Sequence, residues 1–98
     1  MKILALEMEV ANATESDFRP HLKAEAAKVW ELCLAGVIRE IYFQENVRTA
    51  VLILECGSRE EAQEILRTLP LVKEGLITFE VVPLIPYTGF SRLFASEV

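Results

Sequence analysis

Apolar and polar positions alternate from residue 2 to 10, with Leu4, Leu6, Met8 and Val10 on one face and Ile3, Ala5, Glu7 and Glu9 on the other. A period of two is the mark of a strand. The polar run 11–16, with Asn12, Thr14 and Ser16, then reads as a loop. Asp17 is the expected N-cap of a first helix, which puts Pro20 in a first turn whose amide donors have no intrahelical partner. Phe18, Leu22, Ala26, Val29 and Cys33 follow at helical spacing, Trp30 and Leu34 widen the stripe, and Gly36 ends it.

Residues 37–44 are rich in β-branched and aromatic side chains and predict a second strand. Glu45 and Asn46 form the expected hairpin turn into a third strand, 47–56, whose nearly continuous apolar centre places it inside the sheet. Ser58 and Glu61 have the spacing of a capping box for a second helix with the stripe Ala62, Ile65, Leu66 and Leu69, which Pro70 is expected to stop. Gly75 opens a fourth strand, 76–85.

The order strand–helix–strand–strand–helix–strand predicts an α+β, ferredoxin-like βαββαβ domain. It has a four-stranded antiparallel sheet with both helices on one face, because right-handed crossovers put them on the same side. The chain reads as a single domain over 1–98, its core ending near residue 85. The segment 86–98, with Tyr87, Phe90 and Phe94, is too apolar for a solvated tail. It is expected to pack on a partner subunit, or to form a lid over a ligand.

The faces carrying Leu4, Leu6 and Met8 and Ile77, Phe79 and Val81 are expected to meet the helices. The opposite face would then hold Ile3, Ala5, Glu7 and Glu9 with Thr78, Glu80 and Val82, half apolar and half carboxylate. Pairing that face with its twin across a two-fold axis gives an eight-stranded α+β barrel of two subunits. Glu7, Glu9 and Glu80 are expected to converge there, with Arg39 and Arg48 as counter-charges. Two readings of these glutamates stand: a carboxylate-lined cavity, or a solvated rim.

Composition narrows the function. The 98 residues are 52% hydrophobic and 26% charged, with net charge −5 and no cluster of lysine and arginine. Nucleic acid and anionic membrane surfaces are therefore not expected partners. The apolar run 50–54 is far too short for a membrane span, and Glu7 and Glu9 interrupt the signal-like start. A cytoplasmic protein is expected. Cys33 and Cys56 lie outside metal-site spacings, and no phosphate loop or nucleophile elbow occurs. No cofactor and no metal are expected.

His21, the single histidine, opens the first helix with Glu25 four residues on. It is either an acid–base group at a cavity mouth or an exposed residue with a helical partner. His21, Glu7 and Glu80 are the catalytic candidates. Arg39 and Tyr42 are the substrate-binding candidates, on opposite sides of the second strand unless a bulge intervenes. Trp30 is expected in the core.

The run Gly36-Val37-Ile38-Arg39-Glu40-Ile41-Tyr42, Ser58 with Glu60-Glu61-Ala62, Leu69-Pro70-Leu71, Phe79-Glu80-Val81 and Pro83-Leu84 resembles the muconolactone isomerase family. That resemblance implies a dimeric α+β barrel, often built into larger rings, that moves protons on small lactones without metal or organic cofactor. Arg19-Pro20-His21-Leu22 resembles the first-helix signature of the related YciI-like proteins. Their aspartate beside a proline is absent at Leu69-Pro70, so their His–Asp dyad is not available. The expected function is small-molecule binding, with cofactor-independent proton transfer on a small anionic substrate held by Arg39. The alternative is a non-catalytic homo-oligomeric sensing or assembly module.

Overall fold

The computed structural model describes residues 1–94. Its elements are β1 (Lys2–Glu9), α1 (Glu15–Phe18), a 3₁₀ turn (Arg19–His21), α2 (Leu22–Leu34), β2 (Ile38–Phe43), β3 (Ala50–Glu55), α3 (Arg59–Leu66), α4 (Pro70–Lys73), β4 (Ile77–Leu84) and a 3₁₀ segment (Gly89–Leu93). The strands form one antiparallel sheet in the order β2-β3-β1-β4, with β3 and β1 interior as the apolar run of β3 requires. The helices pack on one face. This is the expected ferredoxin-like α+β architecture.

Three boundaries differ from the sequence reading, each for a local reason. The first helix begins at Thr14, whose amide and hydroxyl both donate to Asp17 Oδ2 at 2.9 Å. Pro20 then sits in a 3₁₀ turn that separates α1 from α2, because proline lacks the N–H that a continuous helix needs. The hairpin loop spans residues 44–49 rather than two, closed by the Gln44 amide donating to the Thr49 carbonyl at 3.0 Å. Pro70 starts α4 at its first position instead of ending the second helix, which stops at Leu66. Ser58 does cap α3, accepting from the Glu61 amide at 3.1 Å. Glu61 answers to the Gly57 amide at 2.9 Å rather than to Ser58 itself. Gly36 and Gly75 take φ values of 78° and 72°, the left-handed conformation that lets the chain leave a helix for the next strand.

The register overturns the expected facing of β1. Ala5 lies opposite both Leu52 and Val81, so odd-numbered residues of β1 share a face with Leu52 on β3 and with Ile77, Phe79 and Val81 on β4. Side chains directly opposite in an antiparallel pair lie on the same face. Ile3 and Ala5, both fully buried, therefore meet the helices, and Glu7 goes with them. Leu4, Leu6 and Met8 turn to the open face beside Val51, Ile53 and Val82. That face is mainly apolar, its carboxylates being Glu40, Glu55 and Glu80.

The core joins Ile3, Ala5, Leu52 and Leu54 of the sheet to Ala62, Leu66 and Leu69 beneath α3. The 13-residue α2 buries Leu32 alone, and Trp30, expected in the core, is 65% exposed. Cys33 and Cys56 are half-buried free thiols. Beyond β4, Tyr87 and Phe90 meet edge to face at 4.9 Å, and the Tyr87 ring lies against Gly89 where a Cβ would collide with it. These aromatics, Leu93 and Phe94 remain exposed. The radius of gyration is 16.7 Å, above the roughly 13 Å of a compact chain of this length. The part of the tail at 95–98 lies outside the described residues.

Candidate functional site

A cavity of about 570 Å³ lies between α2 and the sheet. Its floor is Leu52 and Ala50 of β3, with Phe79 of β4 beside them; Leu69 and Leu71 close one side, and Phe18, Leu22 and Val29 form the roof. The cavity exists because α2 stands off the sheet. Small Ala26 projects toward the gap where a larger side chain would fill it.

Two carboxyl groups enter this apolar space from opposite layers. Glu7 comes from β1, where the Ile3–Ala5–Glu7 alternation carries it to the helix face. Glu25 comes from the inner stripe of α2. Glu7 Oε1 accepts the Ala50 amide at 3.0 Å and Glu25 Oε1 accepts the Leu71 amide at 2.9 Å. Among the described residues neither Oε2 takes a protein partner, and neither is buried without one. Burial raises the Glu7 pKa above the ordinary carboxyl value, its backbone bond opposes this, and the charges of Glu9 and Glu25 add to the rise. Burial likewise raises Glu25 against the lowering effect of the Leu71 amide. Glu9, Glu15 and Arg48 stand at the exposed rim, Glu15 bridged to Arg19 at 2.9 Å.

Of the catalytic and substrate-binding candidates, Glu7 alone lines the cavity; Glu9 and Arg48, expected beside it as a converging carboxylate and a counter-charge, line its rim. His21 ends the 3₁₀ turn, half-buried, outside the lining, and among the described residues no hydrogen bond joins it to Glu25. Glu80 lies opposite Leu6 on the open face, so the expected convergence of Glu7, Glu9 and Glu80 does not form; the pleat puts Glu80 on the other side of the sheet. Tyr42 also belongs to the open face, where its hydroxyl donates to Glu40 Oε1 at 2.8 Å, a bond that raises the tyrosine pKa. A bulge does intervene between Ile38 and Glu40. It turns Arg39 to donate to the Gly36 carbonyl, at the end of the sheet near Glu55 and Lys2 and away from the cavity. The sequence reading missed Glu25 as a cavity group, while Arg48, one of the two expected counter-charges, does line the cavity. The signal for Glu25 was present, since a carboxylate at position 25 interrupts the stripe formed by Leu22 and Val29.

No family model matches the chain, and no curated protein does. Among solved structures it is similar to 5-chloro-2-hydroxyhydroquinone dehydrochlorinase from Burkholderia phenoliruptrix AC1100, in complex with 2,5-dihydroxybenzoquinone. The match has a TM-score of 0.71 at 16% identity and covers 91% of this chain and 98% of that one. At that identity the likeness shows the α+β fold. No helix among the described residues is long and apolar enough to cross a membrane.

Proposed function

We propose that this protein binds a small molecule between α2 and the sheet and moves a proton on it, with Glu7 and Glu25 as the acid–base pair. The observation that carries this is the pair of half-buried carboxyls, each with one oxygen free, in a largely apolar cavity of about 570 Å³. Burial that raises a carboxyl pKa brings it toward the range in which it both gives and takes a proton near neutrality. The chemistry proposed needs no cofactor. Glu25 takes the place expected of His21, and an isomerase reaction of the muconolactone type is one instance of such proton transfer. The fold likeness to a dehydrochlorinase that binds a small quinone is compatible with a cavity of this use.

The open face supports a second copy as partner. Leu4, Leu6, Val51, Ile53 and Val82 form a contiguous apolar surface whose burial against its twin would complete a barrel, with the Tyr87–Phe94 tail anchored on the partner. Glu80 and Tyr42 then belong to that interface. Sedimentation of a monomer at micromolar concentration would remove this part of the proposal.

A specific observation favours the alternative, a non-catalytic sensing module: each carboxylate already holds a backbone amide and so has a structural task. Solvent exchange separates the two. Cyclic carbon acids incubated with the protein in D₂O should gain deuterium, and Glu7→Gln and Glu25→Gln should each slow incorporation by about 10²-fold or more. Incorporation that is indifferent to both substitutions leaves only the binding role.

A further inference from the structure

We propose that the ligand of this cavity is an ammonium compound with a compact apolar body, not an anion. The inference rests on the reading of the cavity as a small-molecule site and adds the charge of its occupant. The apolar walls and the volume define the site; the charges around it decide what enters.

Those charges are few and one-sided. Glu7 and Glu9 come from β1, Glu15 from α1, Glu25 from α2 and Arg48 from the hairpin loop; the lining residues of β2, β3, α4 and β4 carry no titratable group. Four carboxylates line the cavity against one guanidinium, and Arg19 pairs with Glu15 from outside it, so the balance is two charges negative. Arg39, the expected anion clamp, is turned away and held by Gly36. Arg48 is exposed on the loop, where solvent screens it, while Glu7 and Glu25 are half-buried and feel each other. An anion seated in the cavity would lie against two half-buried carboxylates, with the one lining cation out at the solvated rim. An ammonium group would meet two free Oε2 atoms, and Phe18, Phe43 and Phe79 line the same cavity, where an aromatic ring can receive a cation. With one carboxylate holding the ammonium, the other is left for the proton.

The test uses three probes of one shape: 2-phenylethylamine, 2-phenylethanol and 3-phenylpropionate, titrated calorimetrically into the full chain. The amine should bind about tenfold or more tighter than the alcohol at pH 8, and the carboxylate weakest. Because burial holds both carboxyl pKa values above the ordinary range, the amine's advantage should fall as pH drops toward 4.5, while alcohol binding stays level. The Glu7→Gln/Glu25→Gln double variant should bring amine and alcohol within about threefold of each other, since glutamine keeps the amide acceptor and removes the charge. Should the double variant not fold, the pH dependence of the parent decides. Equal binding of amine and alcohol overturns the charge inference and leaves the cavity reading intact. So does tighter binding of the carboxylate. Failure of the amine to bind at millimolar concentration also overturns it, whereas the deuterium experiment tests proton transfer on its own.

Discussion

The two long helices lie on the same sheet and use it in opposite ways. In eight residues α3 buries Ala62 and Leu66, and the chain just beyond it buries Leu69 and Leu71. In thirteen residues α2 buries Leu32 alone and leaves Leu22, Trp30 and Leu34 exposed at 49, 65 and 70%. One helix is part of the core. The other is a roof over space along its first half, held toward its C-terminal end by Leu32 with the half-buried Val29 and Cys33, and where Glu25 takes the Leu71 amide. Close packing and open space are thus divided between halves of a pseudo-repeated βαβ unit. The half that gives up burial is the half that gains a cavity.

The largest effect that tests this division is on stability. Leu66→Ala should cost about 2–4 kcal/mol, because Leu66 is 3% exposed in a closely packed core that cannot collapse around the hole. Val29→Ala, on the roof and half-buried between the edge of the core and the cavity, should cost about 1 kcal/mol or less. Urea titration of both at one protomer concentration measures the contrast. Equal losses would mean that α2 is packed as tightly as α3 and that the cavity is closed in solution.

The next effect is on binding. Ala26→Trp puts an indole into the gap from the α2 side, at a residue that is exposed to the cavity. Phenylethylamine binding should weaken by about tenfold or more, while urea stability changes by less than about 1 kcal/mol. A large loss of stability with binding retained would place the ligand elsewhere.

The fold was legible because its signals are local: alternation gives β1 and β4, Gly36 ends a helix, Gly75 precedes β4, and Ser58 caps α3. What the sequence left open was register, and the site depends on register. Either face of β1 is apolar enough to be core, with Leu4, Leu6 and Met8 against Ile3 and Ala5. Ala5 and Leu52 are paired and fully buried on the helix face, and this pairing settles the choice. One consequence is that Glu7 moves from the subunit face to the helix face and leaves Glu80 behind. Arg39 escaped prediction for a related reason, since a bulge breaks the alternation at the one position where its direction mattered. Glu25 was visible as a carboxylate within an apolar stripe, but its partner, the Leu71 amide, is 46 residues away in the chain.

The smallest effect is also the most diagnostic, because it gives the two helices opposite signs. Glu25 on α2 is raised in pKa by burial, so the folded chain holds its proton more tightly than the unfolded chain does. Its contribution to stability therefore falls as pH rises from the ordinary carboxyl value through the raised one, and stays lost above it. Glutamine at this position has no charge to desolvate and still accepts the Leu71 amide. Glu25→Gln should melt higher than the parent at pH 8, by about 1–3 °C since half-exposure screens the effect, and the gap should close near pH 4. Glu61 on α3 is an exposed first-turn carboxylate that accepts the Gly57 amide at 2.9 Å. There the charge favours the positive end of the helix dipole, so Glu61→Gln should melt about 1–2 °C lower at pH 8. Thermal melts of both variants across pH 4 to 8 read the contrast directly. A Glu25→Gln protein that melts lower at pH 8 would show the α2 carboxylate to be a stabilising charge, and the roof would then be a wall like α3.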